Sequence, residues 1–144
     1  MTDAHIDPDR AQFAAFKGLD RDRPIDMLNL VRLRGLAVYP EDHALAGSGL
    51  SGARAYARYG EESGPVFARV GGAIVWRGRF ETVLIGPQDE TWDHCFIARY
   101  PTAHAFLEMI TDPAYRLAVV HRQAAVETSR LIRCAGADAG AVFG

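Results

Sequence analysis

Two histidines, an amide and an arginine occupy positions from which a side chain could move a proton or hold a polar ligand. His94 lies near the start of an aromatic extended run, Trp92 to Tyr100. Period-two alternation sets it on one face with Trp92, Phe96 and Tyr100. An imidazole there can act as acid, base or ligand near neutral pH. The competing role is a half-buried histidine with one backbone hydrogen bond. His121 and Arg122 stand together in the second half of the last helical run. The planar Arg fork suits a carboxylate or phosphate. Against that, Arg122 could pair with an acid such as Glu127, and His121 could face solvent or a partner subunit. Asn29 sits mid-strand among Met27, Leu28, Leu30 and Val31. A buried amide must find hydrogen-bond partners, so it either orients a ligand or pins a loop or a partner strand.

Tyr56 and Tyr59 are three apart and share a helix face. They could present hydroxyls at a cleft mouth, although an aromatic stripe at this spacing is more often core or interface. Trp76 and Arg79 flank Gly78. They could wall a pocket and supply charge, whereas a strand Trp is usually packing. No metal is expected: His5, His43, His94, His104 and His121 are scattered without paired ligand spacing. Gly47-Ser48-Gly49 lacks the context of a phosphate loop, and there is no Gly-x-Ser-x-Gly nucleophile elbow.

The elements that must position these groups follow from caps and breakers. Asp7-Pro8 reads as a helix start, with Phe13, Phe16 and Leu19 on its apolar side and Gly18 at its end. Ile25 to Leu33 is the first strand; Met27, Asn29, Val31 and Leu33 point one way, Leu28 and Leu30 the other. Gly35 to Leu50 is a long loop of the kind that serves as a lid or binding loop. Ser51 caps the next helix, which Gly64-Pro65 is expected to kink or break before Gly71-Gly72 ends it. Ala73 to Ile85 is extended, with a bend at Gly78. Thr102 caps Ala103 to Ile110, and Asp112-Pro113 starts a helix to about Val126. Ser129 to Cys134 is extended again. The order is βαβ twice after an extra N-terminal helix: an α+β, βαββαβ sandwich with an antiparallel sheet. No strand alternates cleanly, so both sheet faces must be covered, although the main helices cover only one. The N-terminal helix or a second subunit must cover the other, and the breadth of the surface favours the subunit.

At 144 residues the chain is one domain, with a core over 8–134 and a small-residue tail, 135–144, expected to be mobile. A net charge of −2 gives no footprint for nucleic acid or an anionic membrane. No apolar run reaches the ~18–20 residues of a membrane span. The first residues do not form a signal peptide. Two cysteines in no metal-type spacing suggest a reducing cytosol.

Several phrases resemble, in order, the uncharacterised family called domain of unknown function 1330 (DUF1330). They are Met27-Leu28-Asn29-Leu30-Val31-Arg32-Leu33-Arg34, Ala55 to Gly60, Val70-Gly71-Gly72, Leu84 to Pro87 and Arg99-Tyr100-Pro101-Thr102. Phe106 to Tyr115, with Thr111-Asp112-Pro113 inside it, is the strongest. His121-Arg122 and Ser129 to Ile132 continue it. The resemblance covers roughly residues 7 to 134. It implies a ferredoxin-like fold in a dimeric α+β barrel, two sheets packed face to face, with strand order 4-1-3-2. That order puts the strands of Cys95 and Cys134 on either side of the first strand, so both should stay free thiols.

The resemblance supplies no reaction. The first functional expectation is a cytoplasmic homodimeric enzyme acting on a small organic or anionic molecule without a tightly bound cofactor. Its pocket would lie between sheet and helices under the Gly35–Leu50 loop. Asn29 would orient substrate, His94 or His121 would move a proton, and Arg122 would hold an anion. The second is a non-catalytic small-molecule binder or sensor on the same scaffold. The third is haem binding through one His, which colour would reveal.

Overall fold

The computed structural model describes residues 4–144. Its elements in chain order are α1 (Arg10–Gly18), β1 (Ile25–Leu33), α2 (Gly52–Arg69), β2 (Ala73–Gly78), β3 (His94–Tyr100), α3 (Ala103–Thr111), α4 (Pro113–Ala125) and β4 (Val126–Ala135). The sheet is antiparallel, in order β2-β3-β1-β4. The fold is ferredoxin-like. Among the described residues no helix is long and apolar enough to cross a membrane.

Register fixes what each face carries. Ile25, Met27, Asn29 and Val31 of β1 stand opposite Tyr100, Ala98, Phe96 and His94 of β3. On the other side Met27 meets Arg133, Asn29 meets Leu131 and Val31 meets Ser129. This face lies under the helices. The core joins Ile25, Met27, Ala98 and Tyr100 of the sheet to Val66, Met109 and Tyr115 of the helices. The opposite face carries Leu28, Leu30, Ile97, Ile132, Cys95 and Trp76, between the Arg99–Asp26 bidentate pair at one end and Arg32 and Arg130 at the other. Trp76 stays 51% exposed and Ile132 46%. Cys95 and Cys134 are free, on strands either side of β1.

Helix α1 does not cover that open face. Phe16 packs on Phe106 of α3 at 5.2 Å and under the Arg133 guanidinium at 4.8 Å, on the helix side. Leu19, expected on its apolar face, is exposed.

The caps at Ser51, Thr102 and Asp112 are as expected, each side chain accepting a backbone N–H. Five expectations need correction. The N-cap of α1 is Asp9, not Asp7, whose carboxylate takes the Gln123 amide. Helix α2 runs through Gly64-Pro65 unbroken, because Pro65 and Glu61, whose carbonyl loses its donor, both lie on the exposed side, while Ser63 and Val66 stay buried. Strand β2 stops at Gly78, short of Ile85: the Trp76 ring lies over Gly78 where a Cβ would be. Strand β3 begins at His94, and Trp92 turns to the open side beneath Arg130, so it does not share His94's face. β4 starts at Val126, three residues earlier than Ser129.

Candidate functional site

The row of the sheet that crosses His94, Val31 and Ser129 is roofed by polar and aromatic side chains. His94 projects under α2, where its ring stacks on Tyr56 at 4.8 Å and 25°. One turn along, Tyr59 tilts against Tyr56 at 5.6 Å. The Tyr59 hydroxyl meets that of Tyr115, from α4, at 2.9 Å. Arg122 descends from α4 to the other end of the row. Its Nη1 donates to the Ile6 carbonyl at 2.5 Å and its Nη2 to Ser129 Oγ at 3.1 Å. In the next row Asn29 lies between Phe96 and Leu131 and donates from Nδ2 to the Met27 carbonyl at 3.0 Å.

Two of these groups hold unused hydrogen-bonding capacity. Among the described residues neither ring nitrogen of His94 nor the Tyr56 hydroxyl has a partner, and no buried side-chain polar atom is left unsatisfied. The His94 nitrogens therefore open onto accessible space beside the Tyr56 ring. Burial lowers the His94 pKa; Asp93 opposes the shift and Arg77 reinforces it. The imidazole is neutral at pH 7 and can accept a proton. Burial raises the pKa of Tyr56, Tyr59 and Tyr115, against the field of Arg122. These hydroxyls stay protonated and can donate to a ligand oxygen. The cluster thus combines a base, phenolic hydroxyls, a cation and a flat aromatic wall.

His121 is elsewhere. It is 5% exposed, on the side of α4 that meets α2 and the loop over 36–50. Nε2 lies 2.9 Å from Glu62 Oε2, and Nδ1 lies 2.7 Å from the Tyr39 hydroxyl. The Glu62 carboxylate and the Tyr39 hydroxyl thus each engage one ring nitrogen. His43 stacks on Tyr39 at 4.6 Å. Both His121 nitrogens are thereby occupied. The 36–50 loop is pinned, not free: the Val38 N–H donates to the Ala124 carbonyl, and Tyr39 packs with Ala55, Ala124 and Ala125 in a second small core.

Trp76 and Arg79 occupy a third place. They line an open cleft of about 370 Å³ with Phe80, Glu81, Thr82 and Cys95, on the uncovered side of the sheet. Of the residues singled out from sequence, Asn29, Tyr56, Tyr59, His94 and Arg122 come together under the helices. His121, Trp76 and Arg79 do not join them. Glu127 pairs with Arg32 and not with Arg122. Tyr39, Glu62 and Tyr115 escaped notice as partners. Tyr115 alone left a trace, inside the Asp112-Pro113-Ala114-Tyr115 phrase. Among the described residues no group of three His, Cys, Asp or Glu side chains could hold a metal ion.

The model of the DUF1330 family, a domain of unknown function, matches residues 45–134, and the chain belongs to that family. The chain is 58% identical to RPA0582, a protein of unknown function from Rhodopseudomonas palustris. That structure superposes with a TM-score of 0.88 and covers 95% of this chain and 100% of that one. The methylated RPA0582 protein gives 58% identity and a TM-score of 0.89, over 97% and 99% of the two chains. A dimeric protein of unknown function and ferredoxin-like fold from Bacteroides fragilis is 14% identical, with a TM-score of 0.46 over 78% and 96%. No curated protein matches the chain.

Proposed function

We propose that this protein is a homodimer whose cleft under α2 and α4 takes a small, planar, enolisable carboxylic acid, and that His94 draws a proton from it without a tightly bound cofactor. One observation carries the reading: a half-buried, neutral imidazole lies flat against Tyr56 with both ring nitrogens unclaimed by the protein. A flat ligand extends that stack. The hydroxyls of Tyr56 and Tyr59 stabilise the charge that grows on an enolate oxygen. Arg122, whose charge is felt by Tyr56, Tyr59 and Tyr115, holds the carboxylate. The open sheet face supports the dimer: α1 leaves it uncovered, and it has an apolar middle with charged ends.

A panel of β-keto acids, aromatic carboxylates and phenols tests both halves. Ligand-observed NMR in D₂O reads binding and, for the β-keto acids, deuterium uptake at the α-carbon. Binding that His94→Gln and Tyr56→Phe weaken at least tenfold, with uptake that His94→Gln abolishes, is the expected result. Binding without uptake would favour the binder reading. Equal binding by wild type and both variants would overturn the site.

A further inference from the structure

We propose that the segment over 79–90, between β2 and β3, is an exchange arm whose tip, Leu84-Ile85, packs on the sheet of a second copy of this chain. This rests on the face-to-face dimer described above and specifies what completes it. Leu84 is 91% exposed and Ile85 93%, two large aliphatic side chains in succession that touch almost nothing of their own subunit. Such a pair in water is unfavourable unless something covers it.

The arm leaves the sheet on the open side. Its base, Arg79 to Thr82, forms one wall of the cleft whose floor is Trp76, Gly78 and Cys95, all open-face positions. Its far end is anchored there too: Arg32 donates to the Asp89 carbonyl at 3.1 Å, and Arg130 lies 3.5 Å from Glu90. Leu84 is five residues from Asp89, a reach of up to ~17 Å. Packed sheets lie ~10 Å apart. The tip can therefore pass the interface plane and lie on the opposing molecule.

Area points the same way. A stable homodimer buries ~800 Å² per partner. Four strands ~4.8 Å apart, of 9, 6, 7 and 10 residues at ~3.3 Å rise, give the sheet a footprint of only ~500 Å². The sheets alone fall short, and the arm supplies the missing apolar surface. The occupant is a copy of this chain because the apolar strip it offers, Leu28, Leu30, Ile97 and Ile132, suits two aliphatic side chains and carries no charge of its own.

Sedimentation equilibrium on the full chain tests this with Leu84→Asp/Ile85→Asp. Because the tip makes no contact at home, the variant keeps the fold, checked by circular dichroism. A weakening of the dimer on the order of 100-fold is expected. Val142→Asp, an exposed apolar position outside the arm, should change nothing. A wild-type dimer with the same dissociation constant as the arm variant overturns the exchange arm and leaves the sheet-face dimer standing. Equal weakening by Val142→Asp also overturns it. A wild type that is monomeric throughout removes the dimer and the arm together.

Discussion

His94 makes the folded state sensitive to acid. Its pKa is lowered by burial from the ordinary ~6.5. Between the two values the unfolded chain holds more protons than the native one. Stability from this group is therefore present above pH ~6.5 and is lost as pH falls from there toward the lower folded value. Urea unfolding at pH 7.5 and 5.5 should show wild type losing more stability than His94→Gln over that interval; equal losses would mean the ring is not desolvated. Arg122 has a structural duty as well. It ties α4 to the N-terminal segment and to β4 through Ile6 and Ser129. Arg122→Lys keeps the charge but loses the fork, so the melting midpoint should drop with or without ligand, by about 1–2 kcal/mol in stability. An unchanged midpoint would show that these bonds contribute nothing. That Asn29 shares a face with Met27 and Val31 was legible from alternation within β1, but its place beside His94 was not, because that depends on the register between β1 and β3. The roles of Tyr39 and Glu62 were not, because a contact from a loop or across 59 positions of chain leaves no periodic trace.

At the scale of elements, the caps and breakers written into the chain placed most helices within a residue or two, and β1 to the residue. The misses share a cause. Local propensity marked Gly64-Pro65 as a kink or break, but packing of α2 on α4, through small residues such as Ala55, Ala118 and Ala125, keeps the helix continuous while Pro65 faces water. Residues 79–85 read as a continuation of β2 because Phe80, Thr82, Val83 and Ile85 favour strands, yet β2 is an edge strand in this chain and β3 runs out of pairing positions at His94. The loop over 36–50 read as a free lid because it lacks pattern; its order comes from Tyr39. Tyr39→Phe removes the hydrogen-bond partner of a buried His121 nitrogen and should cost about 1–3 kcal/mol in denaturant unfolding. It should leave the cleft at His94 intact. A loss below a few tenths would mean that the loop is held by packing alone.

On the scale of the whole molecule, the proposed assembly separates two surfaces. The open sheet faces meet back to back, and each subunit's His94–Tyr56 cleft lies on the far side, under its own helices. The clefts then share no residues, so they should fill independently, one per chain. Both the uncovered face and the βαββαβ order were legible in the sequence, because strands without alternation need cover on two sides. The arm was not, since exposure of Leu84 and Ile85 depends on where the chain turns after Gly78. The most direct measurement of the central claim is calorimetric titration, at pH 7.5, of the panel compound that binds wild type best. The expected isotherm shows one site per 15.8 kDa chain, a single affinity, and at least a tenfold loss in His94→Gln. The same isotherm for wild type and His94→Gln, or half-occupancy per chain, would contradict a ligand cleft built on His94 within each subunit.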